Sequence, residues 1–465
     1  MVKLPFSRRL PATLVLVVAL MGSLMVIAGQ AQTAEPPLLA TPKAKCGPGS
    51  RPESGRQGRV PTAEAKSGRS LQGYTCNTQK LASFGKSGGF KVERYVDKAG
   101  HECAYYDTTL LIPLDAGRNG TDLVGVFVLD MTNPAKPVRT ESLVSPAMQT
   151  PHESVSLNQK RGLLAAVTSN PAFKPGLLDI YDLTADCRHP KLVTSFPIGY
   201  LGHEGGFAPD GNTFYIASLY GQTLGAVDIT NPVTPLPLWM TTEYQPHGVS
   251  LSDDGNRLYI AERNKGLVIL DVSQVQKRQL NPVVFKVSEL TWASKSTPQM
   301  NLPITVKGRP YLIEMDEFSG SNTVVGAARI IDIANDRKPK VISNIRLEVH
   351  QLENRTADQA ADPGSDYAFQ GYAGHYCSVP TRVDPKVLAC SMILSGVRLF
   401  DISDLTRPRE VAYFNQPGAS KAPGQLPSAW AMSSVAMVPE RNELWYSDGN
   451  SGFHVVKVNN RAWPR

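Results

Sequence analysis

The stretch from Pro246 to Ser273, PHGVSLSDDGNRLYIAERNKGLVILDVS, recurs in altered form along most of the 465-residue chain. No other feature constrains the fold as tightly. A His-Gly step opens an alternating run (Val249, Leu251), and Asp253 to Asn256 supplies turn chemistry. A second apolar run (Leu258, Tyr259, Ile260) follows, and Gly266 turns the chain into a third, Leu267 to Leu270, closed by Asp271. Each run is too short for a helix and is bounded by Gly, Asp or Asn, so the unit predicts antiparallel strands joined by tight turns.

The closing Asp sets the register of the other units. It recurs as Asp130, Asp182, Asp228, Asp271, Asp332 and Asp401, and Lys457 stands in the same place in a seventh unit. A turn follows each one, where a carboxylate can accept backbone N–H bonds. A fourth short run then follows, such as Lys191 to Phe196. Four strands per unit and seven units predict an all-β fold, a seven-bladed β-propeller of four-stranded antiparallel blades. The chain stops too soon after its seventh third run to supply a fourth strand there. Residues 76–84 echo the run that follows Cys187, so an N-terminal strand is expected to complete the last blade.

The remaining residues set the chain's compartment and exclude one class of partner. Lys3, Arg8 and Arg9 precede the apolar run Leu14 to Ala28, and Gly29-Gln30-Ala31 offers a small-residue cleavage site, so residues 1–31 are expected to be a signal peptide. Residues 32–72, rich in Pro, Gly, Ser, Lys and Arg, are expected to be a disordered linker, with the propeller spanning 73–465. Residues 1–72 hold ten Lys/Arg and three Asp/Glu, an excess that accounts for the whole chain's net charge of +7. The folded body is therefore neutral, which argues against nucleic acid as a partner. After signal cleavage no stable transmembrane span is expected, and the product is expected to be a monomer that is secreted, periplasmic or on the cell surface.

Six cysteines in an exported chain permit three disulfides. Cys377 and Cys390 flank a turn around Val383-Asp384-Pro385 and are expected to pair across a hairpin. The spacing leaves Cys46, Cys76, Cys103 and Cys187 without an assigned pairing.

The phrases GLVILDVS, GVRLFDISDLTRP and ARIIDIANDRKP resemble the core of the LVIVD-repeat family, and AGHYCSVP with LACSMILSGVRLFDIS is similar to a stretch of its exported bacterial members. The resemblance covers roughly residue 74 to the C-terminus. It implies a propeller outside the cytoplasm and brings no general activity with it.

Aligning the units places His152, His203, His247, Asn301, His375 and Ser433 in one column at the start of each first strand, with His101 a looser candidate in unit one. First strands line the channel of a propeller, so these side chains could converge at its mouth. Two readings follow. Recurrent histidines could be scaffolding, each hydrogen-bonded within its own blade, with the repeat Asp as partner. Alternatively His152, His203, His247 and His375 could ligate a transition metal (Cu, Zn or Fe), with Glu153 and Glu204 orienting or supplementing them. The acidic run Glu314 to Glu317 reads as a solvated edge, with a cation site as the alternative. Two insertions, 351–374 and 415–431, lead into first strands and so share the histidine face, which makes that face the expected binding surface. Nucleophile-elbow, phosphate-loop, HExxH and haem-attachment motifs are all missing, and no catalytic residue is assigned. The chain therefore reads first as a binding or scaffold propeller for a protein or small-molecule partner, and second as a metal-dependent oxidoreductase.

Overall fold

In the repeat unit, strands Pro246–Leu251, Arg257–Glu262, Gly266–Asp271 and Phe285–Leu290 pair antiparallel in sequence order. Side chains along a strand point alternately to its two faces. Leu267 and Ile269 pack with Leu312 and Ile331 of the following unit. Val268 and Leu270 pack with Tyr215 and Ala217 of the preceding one. All four residues are fully buried. The uninterrupted apolar run GLVIL is what a strand covered on both faces requires.

The same arrangement extends around the ring. The computed structural model describes residues 35–108, 124–170, 174–318, 325–355, 371–419 and 426–464. Seven antiparallel sheets follow one another along the chain, each formed by consecutive strands except the last two. Between every pair of neighbouring sheets lies one apolar cluster. The seventh blade pairs Ala436–Val438, Glu443–Asp448 and Gly452–Val458, and its outer strand is the N-terminal Thr78–Phe84. The expected closure is therefore present, and Val92, Phe127, Trp445 and Phe453 seal the first blade against the last. The repeat carboxylates take the role expected of them: Asp130, Asp182, Asp228, Asp271, Asp332 and Asp401 each accept the N–H two residues on, at 2.7–3.0 Å.

The expected signal peptide lies outside the described residues, and the expected linker is corrected from residue 35 onward. Residues 35–72 pack along blades five and six. Tyr74–Cys76 adds a fifth strand to blade six. The reason is two buried arginines. Arg329 and Arg398 stand three residues before the repeat Asp of blades five and six, where Phe127 and Val268 stand in blades one and four. Arg398 pairs with Glu410 at 2.8 Å and with Glu53 of the strap. Arg329 pairs with Glu314 and Asp316, and Glu35 of the strap lies 3.7 Å away. Composition hid this, because the strap docks through a few carboxylates and a small apolar cluster around Val60 and Ala65 that packs with Tyr413.

Cys377 pairs with Cys390 on adjacent strands, as expected. Cys46–Cys76 fastens the strap, and Cys103–Cys187 ties blade one to the loop after the third strand of blade two. No helix among the described residues is long and apolar enough to cross a membrane.

Removing one partner of a buried ion pair leaves an uncompensated charge. Arg398→Ala should therefore lower stability by ~3–5 kcal/mol in urea denaturation. Arg407→Ala, whose side chain is 86% exposed, should leave the midpoint unchanged.

Candidate functional site

First strands of neighbouring blades touch at the axis, where Glu153 bridges to Glu204 and its N–H donates to the carbonyl of His203. Four of the column histidines converge on the Glu153 carboxylate. The imidazole Nε2 atoms of His203 and His247 lie 3.3 and 3.6 Å from its Oε2. On the other side, Nε2 of His375 is 3.2 Å and Nδ1 of His152 is 3.9 Å from Oε1. A second carboxylate, Glu317, places Oε1 at 3.4 Å from His247 and Oε2 at 3.4 Å from His375. Gln299 holds Glu153 in place by donating to Oε2 at 2.7 Å.

Two of the rings have only one nitrogen left for the centre. Nδ1 of His247 faces the Pro298 carbonyl at 2.9 Å and Nδ1 of His375 faces the Met432 carbonyl at 2.7 Å. A carbonyl only accepts, so Nδ1 carries the proton in both rings and Nε2 is the atom turned to the carboxylates. Main-chain carbonyls that orient imidazoles in this way are the usual outer partners of metal ligands. Nδ1 of His152 and Nε2 of His203 and His375 are buried and make no aligned hydrogen bond. The backbone of His152 sits at φ +50°, a region that costs a residue with a Cβ. Gly248 is also constrained, because a Cβ there would fall 2.3 Å from the Gln299 carbonyl.

Electrostatics follow from burial and crowding. Burial opposes a charge on His375, yet the carboxylates of Glu153 and Glu317 outweigh it and raise its pKa to about 9. Burial, then the neighbouring His203 ring, pushes His152 and His247 down to about 3. Burial opposes the charge on Glu153 as well, but the imidazoles of His203 and His375 hold its carboxyl well below the ordinary range. Glu317 is lifted by burial to about 7, with His375 working against the rise. Burial thus keeps His152 and His247 neutral, while His375 carries its proton between two carboxylates.

The structure relocates several expected site residues. Glu204 faces away from the histidines: the Tyr376 hydroxyl donates to its Oε2 at 2.9 Å, and Lys91 lies 4.0 Å from Oε1. Asn301 does not reach the centre, because a register shift between Pro298 and Met300 brings Gln299 there in its place. Ser433 hydrogen-bonds to the N–H of Ser447. His101 lies near the turn between the first two strands of blade one, its Nδ1 2.9 Å from Asp97, while Phe90 occupies the axis and stacks on His152 at 4.5 Å. The acidic run is corrected from a solvated edge to a buried strand, Arg309–Glu317, whose last residue is the second carboxylate of the centre. Alternation along that strand sends Glu314 and Asp316 to Arg329 and Glu317 the other way. Among the described residues the column histidines make no hydrogen bond to a repeat Asp.

The centre opens on one side. The His152 side chain keeps 22% of its surface exposed, and Tyr220, 80% exposed, stands edge-on to His203 at 5.7 Å. Met432, the residue after the second insertion, reaches the centre through its carbonyl, and residues 356–370 and 420–425 of the two insertions lie outside the described residues. A second group, Asp97, His101 and Asp186, is also close-set, but its atoms are engaged with one another and with Arg188.

The LVIVD repeat family matches residues 248–275, and that match together with seven blades fits an LVIVD-repeat β-propeller protein. No curated protein matches the sequence. Among solved structures, the chain is similar to a putative 6-phosphogluconolactonase from Bacteroides uniformis, with TM-score 0.52 and 13% identity over 73% of this chain and 90% of that one. It is also similar to the Cps50 (Swd1) β-propeller domain of Myceliophteria thermophila, with TM-score 0.52 and 12% identity over 82% of this chain and 98% of that one. At such identities the likeness shows the propeller fold alone.

Gly248→Ala should destabilise the protein by ~1–3 kcal/mol, the usual cost of overpacking. Chemical denaturation measures it, and an unchanged midpoint would mean the axis is more loosely packed than these contacts indicate.

Proposed function

We propose that this protein is an extracytoplasmic propeller that binds a first-row transition metal at its axis through His203, His247, His375, His152, Glu153 and Glu317. One observation carries the reading. Two imidazoles have their Nδ1 protons committed to main-chain carbonyls, and their free Nε2 atoms stand 3.2–3.6 Å from carboxylate oxygens. Ligands about 2.0–2.2 Å from one ion stand roughly 3.0–3.5 Å apart. Charge-assisted hydrogen bonds are shorter, about 2.7–2.9 Å. The spacing therefore suits donors that share a cation.

Imidazole and carboxylate donors without thiolate suit iron, copper or zinc. With iron or copper bound the centre would supply redox chemistry, and that is the enzymatic form of the proposal. The chain's own part is to fix the ring tautomers, exclude bulk water on the closed side and admit a small ligand past His152 and Tyr220. The three disulfides support an oxidising compartment.

Elemental analysis of the full-length protein purified from the compartment to which it is exported tests this. Stoichiometric metal is expected, and chelation should lower the melting temperature, with re-addition restoring it. His247→Ala and His375→Ala should bind far less metal, and His101→Ala should bind the wild-type amount. A folded wild-type protein without metal, showing no thermal shift with Mn(II), Fe(II), Co(II), Cu(II) or Zn(II), would overturn the proposal.

A further inference from the structure

The donors at the axis are too spread for one ion to take all six. His152, Glu153 and His203 offer atoms that all lie within 4.8 Å of one another, and His247, His375 and Glu317 fall outside that group. With bonds of about 2.1 Å, the farthest ligands of one ion are roughly 4.2 Å apart. The two oxygens of Glu153 divide the four imidazoles into pairs. Its Oε2 serves His203 and His247, and its Oε1 serves His375 and His152. Glu317 repeats the division, with Oε1 toward His247 and Oε2 toward His375.

We propose that the centre holds two divalent ions bridged by the carboxylates of Glu153 and Glu317, an inference that rests on the metal-binding reading above. One ion takes His203 and His247, and the other takes His152 and His375. Each also receives one oxygen from each carboxylate. Ions bridged in this way sit about 3.5–4 Å apart. The two carboxylates leave the pair with excess positive charge, and Lys91 lies toward Glu204 and not toward the ions. A small anionic ligand entering beside His152 and Tyr220 is the chemical class that such a pair would take up.

The experiment loads chelator-treated full-length protein with Mn(II), removes free ion by dialysis and counts bound manganese per chain. Two ions are expected, with an electron paramagnetic resonance spectrum showing exchange coupling in place of the isolated Mn(II) signal. His203→Ala and His375→Ala should each retain one ion with an uncoupled signal. Circular dichroism and thermal melting confirm that each variant is folded. For a variant that does not fold, the wild-type count and spectrum decide alone. One ion per wild-type chain overturns the two-ion centre and leaves the metal-binding reading standing. No bound manganese overturns the two-ion centre, and it overturns the metal-binding reading as well when Fe(II), Co(II), Cu(II) and Zn(II) are likewise not retained. Two ions without coupling would overturn the shared carboxylates.

Discussion

The axis exists only because Thr78–Phe84 pairs with Gly452–Val458. An isolated blade leaves both faces of its sheet in water, and each blade is covered only when a neighbour stands on either side. Six interfaces form between blades that follow one another in sequence. The seventh needs strands from the two ends of the chain. The N-terminal strand lets Phe453 and Trp445 meet Phe127 and Tyr106, and without it the ring would have two bare faces.

The ring tolerates charge only where it is answered from elsewhere in the chain. Blades five and six carry Arg329 and Arg398 in interior positions filled by Phe127 and Val268 in other blades. Both arginines are fully buried, and the strap brings Glu35 toward one and Glu53 to the other. A buried guanidinium without a carboxylate would cost several kcal/mol. The strap is thus part of the fold that it was expected only to precede, and Cys46–Cys76 holds it in place.

Recurrence made the fold legible. The run ending in Asp repeats with enough fidelity to count blades, assign the turn carboxylates and foresee closure by an N-terminal strand. It also put His152, His203, His247 and His375 in one column, and they do meet. What recurrence could not reveal is whatever occurs once. Glu317 ends a strand instead of beginning one, so no column contains it, and its acidic neighbours suggested solvent. Gln299 replaces Asn301 through a shift in strand register that the sequence does not mark. The strap was missed because its anchors are single glutamates in a polar segment. An arginine at a repeat position filled by Phe127 and Val268 in blades one and four was one available sign of it.

Recurrence also invites a structural account of the histidines, and the other blades argue against that account. Phe90 fills the axial place in blade one, Gln299 in blade five, and Ser433 stands in the column in blade seven. The ring closes with an aromatic, an amide or a hydroxyl at these places, so the fold does not require an imidazole there. Apolar residues in such a buried cluster would commonly be as stable or more so. Four imidazoles around one carboxylate, with a second carboxylate beside them and a left-handed backbone at His152, carry a cost that the propeller avoids elsewhere. On the metal-binding proposal, cations at the centre would offset that cost by giving the imidazole lone pairs and the carboxylate oxygens an acceptor for their electrons. The interfaces between blades account for the ring, and the proposed metal would account for what the ring encloses.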